Sequence, residues 1–145
     1  SYGGFMTNWI IGHTSRFRAA VTQRSVSNWV SEAGTQQYTP RMMNLEFNGT
    51  LWDNYDLYWD RSPIQFADRI KTPTLIIHSD QDYICPLGQA EELFYALKIH
   101  DVPVELAVFE GENHGLSRMG KPINLVERLN RMLEWFERYL PPGGP

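Results

Sequence analysis

Cysteine, positive charge and long apolar runs are all scarce in this 145-residue sequence, and each scarcity removes a class of function. The single cysteine, Cys85, excludes an internal disulfide and is compatible with a reducing cytosol. A net charge of -4 leaves no basic face for phosphate, so nucleic acid is not expected as a partner. No apolar run reaches the roughly 18 residues that span a bilayer, and no signal-peptide pattern is legible. The expectation is a cytoplasmic chain without a membrane partner. No glycine-rich loop precedes a helix, which removes support for nucleotide binding. No pair among His13, His78, His100, His114 and Cys85 has helical or hairpin ligand spacing, so neither a metal nor another cofactor is expected. Internal repeats and low-complexity tracts are absent as well.

What is present is the balance of a globular domain, with 42% hydrophobic and 21% charged residues. Thr74-Leu75-Ile76-Ile77-His78, introduced by Lys71-Thr72-Pro73, is a continuous apolar run with β-branched residues and reads as a buried parallel strand. Phe17 to Gln23 and Val104 to Phe109 read as two more strands. Phe5 to Gly12, Gly88 to Ile99 and Leu125 to Leu140 have helical spacing, the last placing Leu125, Leu129, Leu133 and Phe136 together. Gly12 reads as a helix stop. Arg24 to Arg69 is the least periodic stretch, an excursion of short helices and loops rich in Trp and Tyr whose aromatics pack a cap. The alternation predicts an α/β fold of about three parallel strands with flanking helices, one domain over residues 1–140, and a flexible tail at 141–145. Three such strands leave the strand around Val21 with an open edge. A missing upstream half, or a second copy of the chain, is the partner expected there.

The chemistry centres on Ser1-Tyr2-Gly3-Gly4, which runs into the apolar helix from Phe5. A serine followed by an aromatic and two glycines is the downstream half of the G-x-S-x-G turn that holds a nucleophile between a strand and a helix. Glycine is needed in such a turn where a Cβ would strike neighbouring backbone. Gly3 fills the second glycine position and Gly4 gives room for close helix packing. A frayed terminus, and a nucleophile activated by its own α-amino group, are the competing readings of Ser1. Neither accounts for the glycines, nor for an acid and a histidine following in the order Ser…Asp…His that such turns use. A serine hydroxyl needs an imidazole to take its proton, and the imidazole needs a carboxylate to hold its tautomer. His114 lies just after the third strand. Asp82 and Asp80 both lie just after the second, and periodicity does not separate them. His78 closes a buried strand and reads as structural, His13 and His100 as solvated, and Cys85 as a small buried apolar residue.

Further stretches carry a family likeness: Ser1 to Trp9, Thr22 to Trp29, Ser62-Pro63, Lys71 to His78, and Asn113-His114-Gly115-Leu116-Ser117-Arg118. Together they resemble the C-terminal part of the catalytic α/β-hydrolase domain of the prolyl oligopeptidase family of serine peptidases, most of all its acylaminoacyl-peptidase branch. The resemblance implies Ser1 as nucleophile and His114 as base. It implies Asp82 as the acid, because the family's aspartate stands four residues before a proline, here Pro86. Tyr83-Ile84-Cys85 departs from the basic or polar residues usual between the two. The resemblance also implies the backbone N–H of Tyr2 as one oxyanion donor, a second donor from upstream sequence, and a pocket bordered by Tyr2, Val26 and Trp29 for the residue on the acyl side of the scissile bond. The implied activity is hydrolysis of short peptides, acylaminoacyl- or dipeptidyl-peptidase-like, through an acyl-enzyme. A carboxylesterase of the same fold and a catalytically silent fragment are the alternatives. Family members also carry a β-propeller and the first half of the sheet. Loss of one oxyanion donor costs about 10²–10³ in rate, so the chain alone is expected to be weakly active or inactive.

Overall fold

Pro73 cannot donate to a ladder, but its carbonyl accepts from Ala20, and parallel pairing begins there. The computed structural model describes residues 1–38 and 40–140, and the expected tail at 141–145 lies outside them. In chain order the elements are α1 (Tyr2–His13), β1 (Ala20–Gln23), α2 (Trp29–Thr35), α3 (Pro40–Glu46), α4 (Tyr55–Asp60), a 3-10 helix (Pro63–Arg69), β2 (Thr74–Ser79), α5 (Gly88–Ile99), β3 (Val104–Phe109), α6 (Leu116–Met119) and α7 (Pro122–Tyr139). All six residues of β2 are buried, its polar Thr74, His78 and Ser79 as well as its apolar centre, as befits a central strand with helices over both its faces. β2 pairs in parallel with β1 on one side and β3 on the other, with Val21 opposite Leu75 and Leu75 opposite Glu105. The loops after Gln23, Ser79 and Phe109 therefore emerge along one edge of the sheet.

Alternation along β2 divides the core in two. Ile76 faces α1 and α5, packing with Ile11, Ala90, Leu93 and Leu97. Leu75 and Ile77 face the opposite way, onto Phe109, Leu116 and Trp135. The result is helix, sheet and helix in three layers. The excursion builds a smaller core of its own around Met43, Phe47 and Tyr58, against which Trp29 packs. The Phe47 and Tyr58 rings stack at 4.1 Å, and Trp29 meets Phe47 edge-on at 5.2 Å. Trp52 stays outside it, 89% exposed.

Three expectations need correction. β1 is shorter than Phe17 to Gln23, because the ladder starts only at Ala20 and Phe17 is half exposed. Gly12 does not stop α1; it lies inside the helix, where a Cβ would come within 3.0 Å of Phe66 Cβ, so it serves close packing against the 3-10 helix. On α7 the buried stripe is Met132, Trp135 and Tyr139, while Leu129 and Leu133 are 54% and 58% exposed. The helix carries apolar residues on two adjoining stripes, and the large indole is the side chain that meets the sheet.

Candidate active site

Helix α1 starts at the carboxyl edge of the sheet and sets the position of Ser1, its N-cap residue. The N–H groups of its first turn, beginning with Tyr2, have no partner within the helix and point beyond its end. Gly4 lets α1 lie close to the end of β1. A Cβ there would stand 2.5 Å from the Gln23 carbonyl oxygen and 2.6 Å from Ser25 Cβ. A Cβ on Gly3 would meet no described atom within 4 Å, so the crowding falls on the second glycine of the pair. The approach is locked by buried polar contacts. Asn8 Nδ2 donates to Ser25 Oγ at 2.9 Å and to the Val26 carbonyl at 3.1 Å, and Thr22 Oγ1 donates to the Gly4 carbonyl at 3.1 Å.

The loop after β2 brings in Asp82 and the loop after β3 brings in His114. Asp82 Oδ1 accepts the backbone N–H groups of Ile84 at 3.0 Å and Cys85 at 2.9 Å, which leaves Oδ2 facing His114 Nδ1 at 2.7 Å. Burial by itself would raise the Asp82 pKa. Hydrogen bonds from His114 and the Cys85 N–H outweigh that and hold the carboxyl below the usual carboxylate range. With Nδ1–H donated to the carboxylate, His114 Nε2 is the acceptor, and the Ser1 hydroxyl donates to it. Asp80 is used differently: its Oδ1 accepts from the Gly111 N–H at 2.7 Å and ties the two loops together. The structure thus brings Ser1, His114 and Asp82 into one hydrogen-bonded chain and leaves Asp80 out of it.

His78 is buried beneath this chain. Its Nε2 bonds the Cys85 carbonyl at 2.7 Å and stands 3.6 Å from Asp82 Oδ2. Desolvation lowers its pKa, which favours the neutral ring. Cys85 is buried too, and burial, with the negative charges of Glu32 and Asp82, pushes its thiol up to about 12. A thiol at that value is not a nucleophile. His13 is exposed but not merely solvated, since its ring stacks on Trp9 at 4.3 Å. Among the described residues no three His, Cys, Asp or Glu side chains are grouped as metal ligands.

A cavity of about 290 Å³ opens beside Ser1 and His114. Val26 and Trp29 line it, as do Met42, Met43 and Ile84, whereas the Tyr2 side chain does not and is 74% exposed against Phe5. Two charged residues at the site had no signal in the sequence pattern. Arg24, at a φ of 42°, reaches across to donate to the His114 carbonyl at 2.8 Å and to Ser117 Oγ at 2.6 Å, bracing the histidine loop. Glu32, on α2, lines the cavity from within. Gln89 fixes the wall that carries both Val26 and Trp29: its Oε1 accepts the N–H groups of Ser27 at 3.0 Å and Asn28 at 2.9 Å.

The profile of the prolyl oligopeptidase family matches residues 1–142. The chain is 44% identical over 140 residues to the uncharacterized peptidase YuxL of Bacillus subtilis, a match covering 97% of this chain and 21% of that protein. It is 38% identical over 143 residues to dipeptidyl-peptidase 5 of Aspergillus oryzae, covering 96% of this chain and 19% of that one. Among solved structures, the acylaminoacyl peptidase of Pyrococcus horikoshii superposes with a TM-score of 0.89 at 32% identity, over 99% of this chain and 24% of its own. The chain therefore spans about a fifth of the length of the curated relatives it matches.

Proposed function

The chain belongs to the prolyl oligopeptidase family, and from that premise we propose that it carries the triad of a serine peptidase acting on short peptides, acylaminoacyl- or dipeptidyl-peptidase-like. The observation that supports the reading best is the hydrogen-bonded chain from Ser1 through His114 to Asp82, opening onto a cavity of side-chain size.

In this reading Ser1 Oγ attacks the carbonyl carbon while His114 Nε2 takes the hydroxyl proton. Asp82 keeps Nδ1–H in place and stabilises the imidazolium that forms. The Tyr2 N–H is the donor this chain offers to the developing oxyanion. Collapse of the tetrahedral intermediate passes the proton from His114 to the leaving amine and leaves an acyl-enzyme on Ser1. Water, deprotonated by the same imidazole, then releases the acid. Peptide is the substrate, and the remainder of the parent hydrolase domain, or a second copy at the open edge of β1, completes the sheet.

The test is labelling of the full-length protein with a fluorophosphonate, the adduct mapped by mass spectrometry, alongside hydrolysis of acyl-aminoacyl, dipeptidyl and simple ester substrates. A Ser1 adduct that disappears in Ser1→Ala, with amide hydrolysis, is the expected result. An adduct elsewhere, or ester cleavage with no amide cleavage, would reject the peptidase reading.

A further inference from the structure

Glu32 is 3% exposed, and its Oε2 is buried without a hydrogen-bond partner. One helical turn on, Gln36 Oε1 is also buried and unpartnered. Both residues line the cavity beside Ser1 and His114. Gln36 is the C-cap residue of α2, its N–H bonded to the Glu32 carbonyl at 3.2 Å, so the end of the helix presents two unpartnered polar oxygens to the same space. The neighbouring Glu92 shows the contrast: it accepts from Ser31 Oγ and Asn28 Nδ2, both at 2.6 Å, and needs nothing more. None of the ion pairs among the described residues involves Glu32. Burial first, then the charges of Asp82 and Glu92, push its carboxyl up to about 8, so it is held protonated near neutral pH. A buried acid with no cation of its own is costly to keep unless something supplies the missing donor.

The rest of the cavity indicates what that donor is attached to. Its walls include Val26, Trp29, Met42, Met43 and Ile84, an apolar lining shared with the Ser1 hydroxyl and the Glu32 carboxyl. A long aliphatic stem ending in a charged, donor-rich head fits such a lining, because the methylenes bury while the head finds its acceptors. We propose that this cavity takes the basic side chain, lysine or arginine, of the residue whose carbonyl Ser1 attacks, with Glu32 as its counter-ion and Gln36 as a second acceptor. The assignment rests on the serine-peptidase reading for the identity of that residue, and makes Glu32 the determinant of specificity. On entry of the cation the carboxyl releases its proton to solvent and the ion pair forms.

The experiment reads equilibrium binding of small substrate-like amides, so that it reports the pocket separately from catalysis. Acetyl-lysine amide, acetyl-arginine amide, the uncharged near-isostere acetyl-norleucine amide, and alanyl-norleucine amide, which has only a free α-amine, are titrated against the full-length protein and against Glu32→Gln. The lysine and arginine ligands are expected to bind about tenfold or more tightly than acetyl-norleucine amide in the unsubstituted protein, and the ratio to fall to near one in Glu32→Gln. Norleucine binding as tightly as lysine, or a preference that survives Glu32→Gln, overturns the proposal. So does a preference confined to alanyl-norleucine amide, which would assign the acceptors to the substrate's amino terminus. The ratio in the unsubstituted protein stands alone if the variant does not fold. Failure of the fluorophosphonate to label Ser1 would sink the peptidase reading without touching this ratio.

Discussion

Replacing Gly4 by alanine puts a methyl group where α1 and the end of β1 leave no room. The new Cβ would lie 2.5 Å from the Gln23 carbonyl oxygen, 2.6 Å from Ser25 Cβ and 3.2 Å from Ser25 Cα, all of them firmly placed atoms. Carbon contacts settle near 3.5–4.0 Å, so the helix must retreat by about 1 Å. That retreat strains the three buried bonds that lock it, from Asn8 to Ser25 and Val26 and from Thr22 to Gly4. Overpacking costs about 1–3 kcal/mol and each of the three buried bonds lost about 1 kcal/mol, against a helix-propensity gain of about 0.5–1 kcal/mol, leaving a net loss of about 4 kcal/mol if all three are lost. Gly34→Ala is the control, because α2 leaves open space there and only the gain applies. Urea unfolding followed by circular dichroism reads both variants. The retreat also displaces Ser1, for which about 1 Å is worth about 10²-fold in rate, read from fluorophosphonate labelling. A Gly4→Ala midpoint equal to that of Gly34→Ala, with unchanged labelling, would refute the close approach.

Other consequences are open to direct measurement. Asp82→Asn is expected to slow fluorophosphonate labelling by about 10⁴, because the carboxylate that sets the His114 tautomer is lost, whereas Asp80→Asn, which alters the loop tie to Gly111 and a contact with Gln81, should slow it by less than about tenfold. Equal effects would undo that division. Gln89→Leu strands the N–H groups of Ser27 and Asn28 and should cost about 2–4 kcal/mol in chemical denaturation, with a larger loss of peptide hydrolysis than of ester hydrolysis if the cavity wall shifts. Glu32 makes stability depend on pH in the opposite sense from a paired carboxylate. Its folded pKa of about 8 lies above the ordinary 4.5, so the folded state holds a proton that the unfolded state gives up, and stability contributed below that ordinary value is lost as pH rises toward and through 8. Glu32→Gln should flatten that slope, and unfolding midpoints measured across the interval with the slope unchanged would exclude the residue as its source.

Much of the scaffold is legible from local pattern. The run Thr74 to His78 has to be buried on both faces, Val104 to Phe109 repeats the arrangement, and the spacing between them leaves room for one crossover helix. Those two strands and α5 coincide with the expected bounds within a residue. The order Ser, Asp, His is equally a property of the chain, because it needs only residue types at loop positions after strands. What the sequence could not decide is which atoms meet. Asp80 and Asp82 are two residues apart on one loop, and only the turn that gives Asp82 Oδ1 to the Ile84 and Cys85 N–H groups aims its other oxygen at His114. Leu133 and Trp135 are two residues apart on one helix, and only docking against Leu75 and Ile77 selects the indole. Arg24 and Glu32 have nothing in their neighbourhoods to mark them, since the partners of Arg24 lie across the sheet and Glu32 faces a cavity walled by distant segments. Periodicity is set by backbone geometry over a few residues and is therefore written locally. Which carboxyl ends up unpartnered in a cavity depends on where distant segments cross, and in this protein the tertiary structure alone put Glu32 on the wall of the cavity that Ser1 also lines.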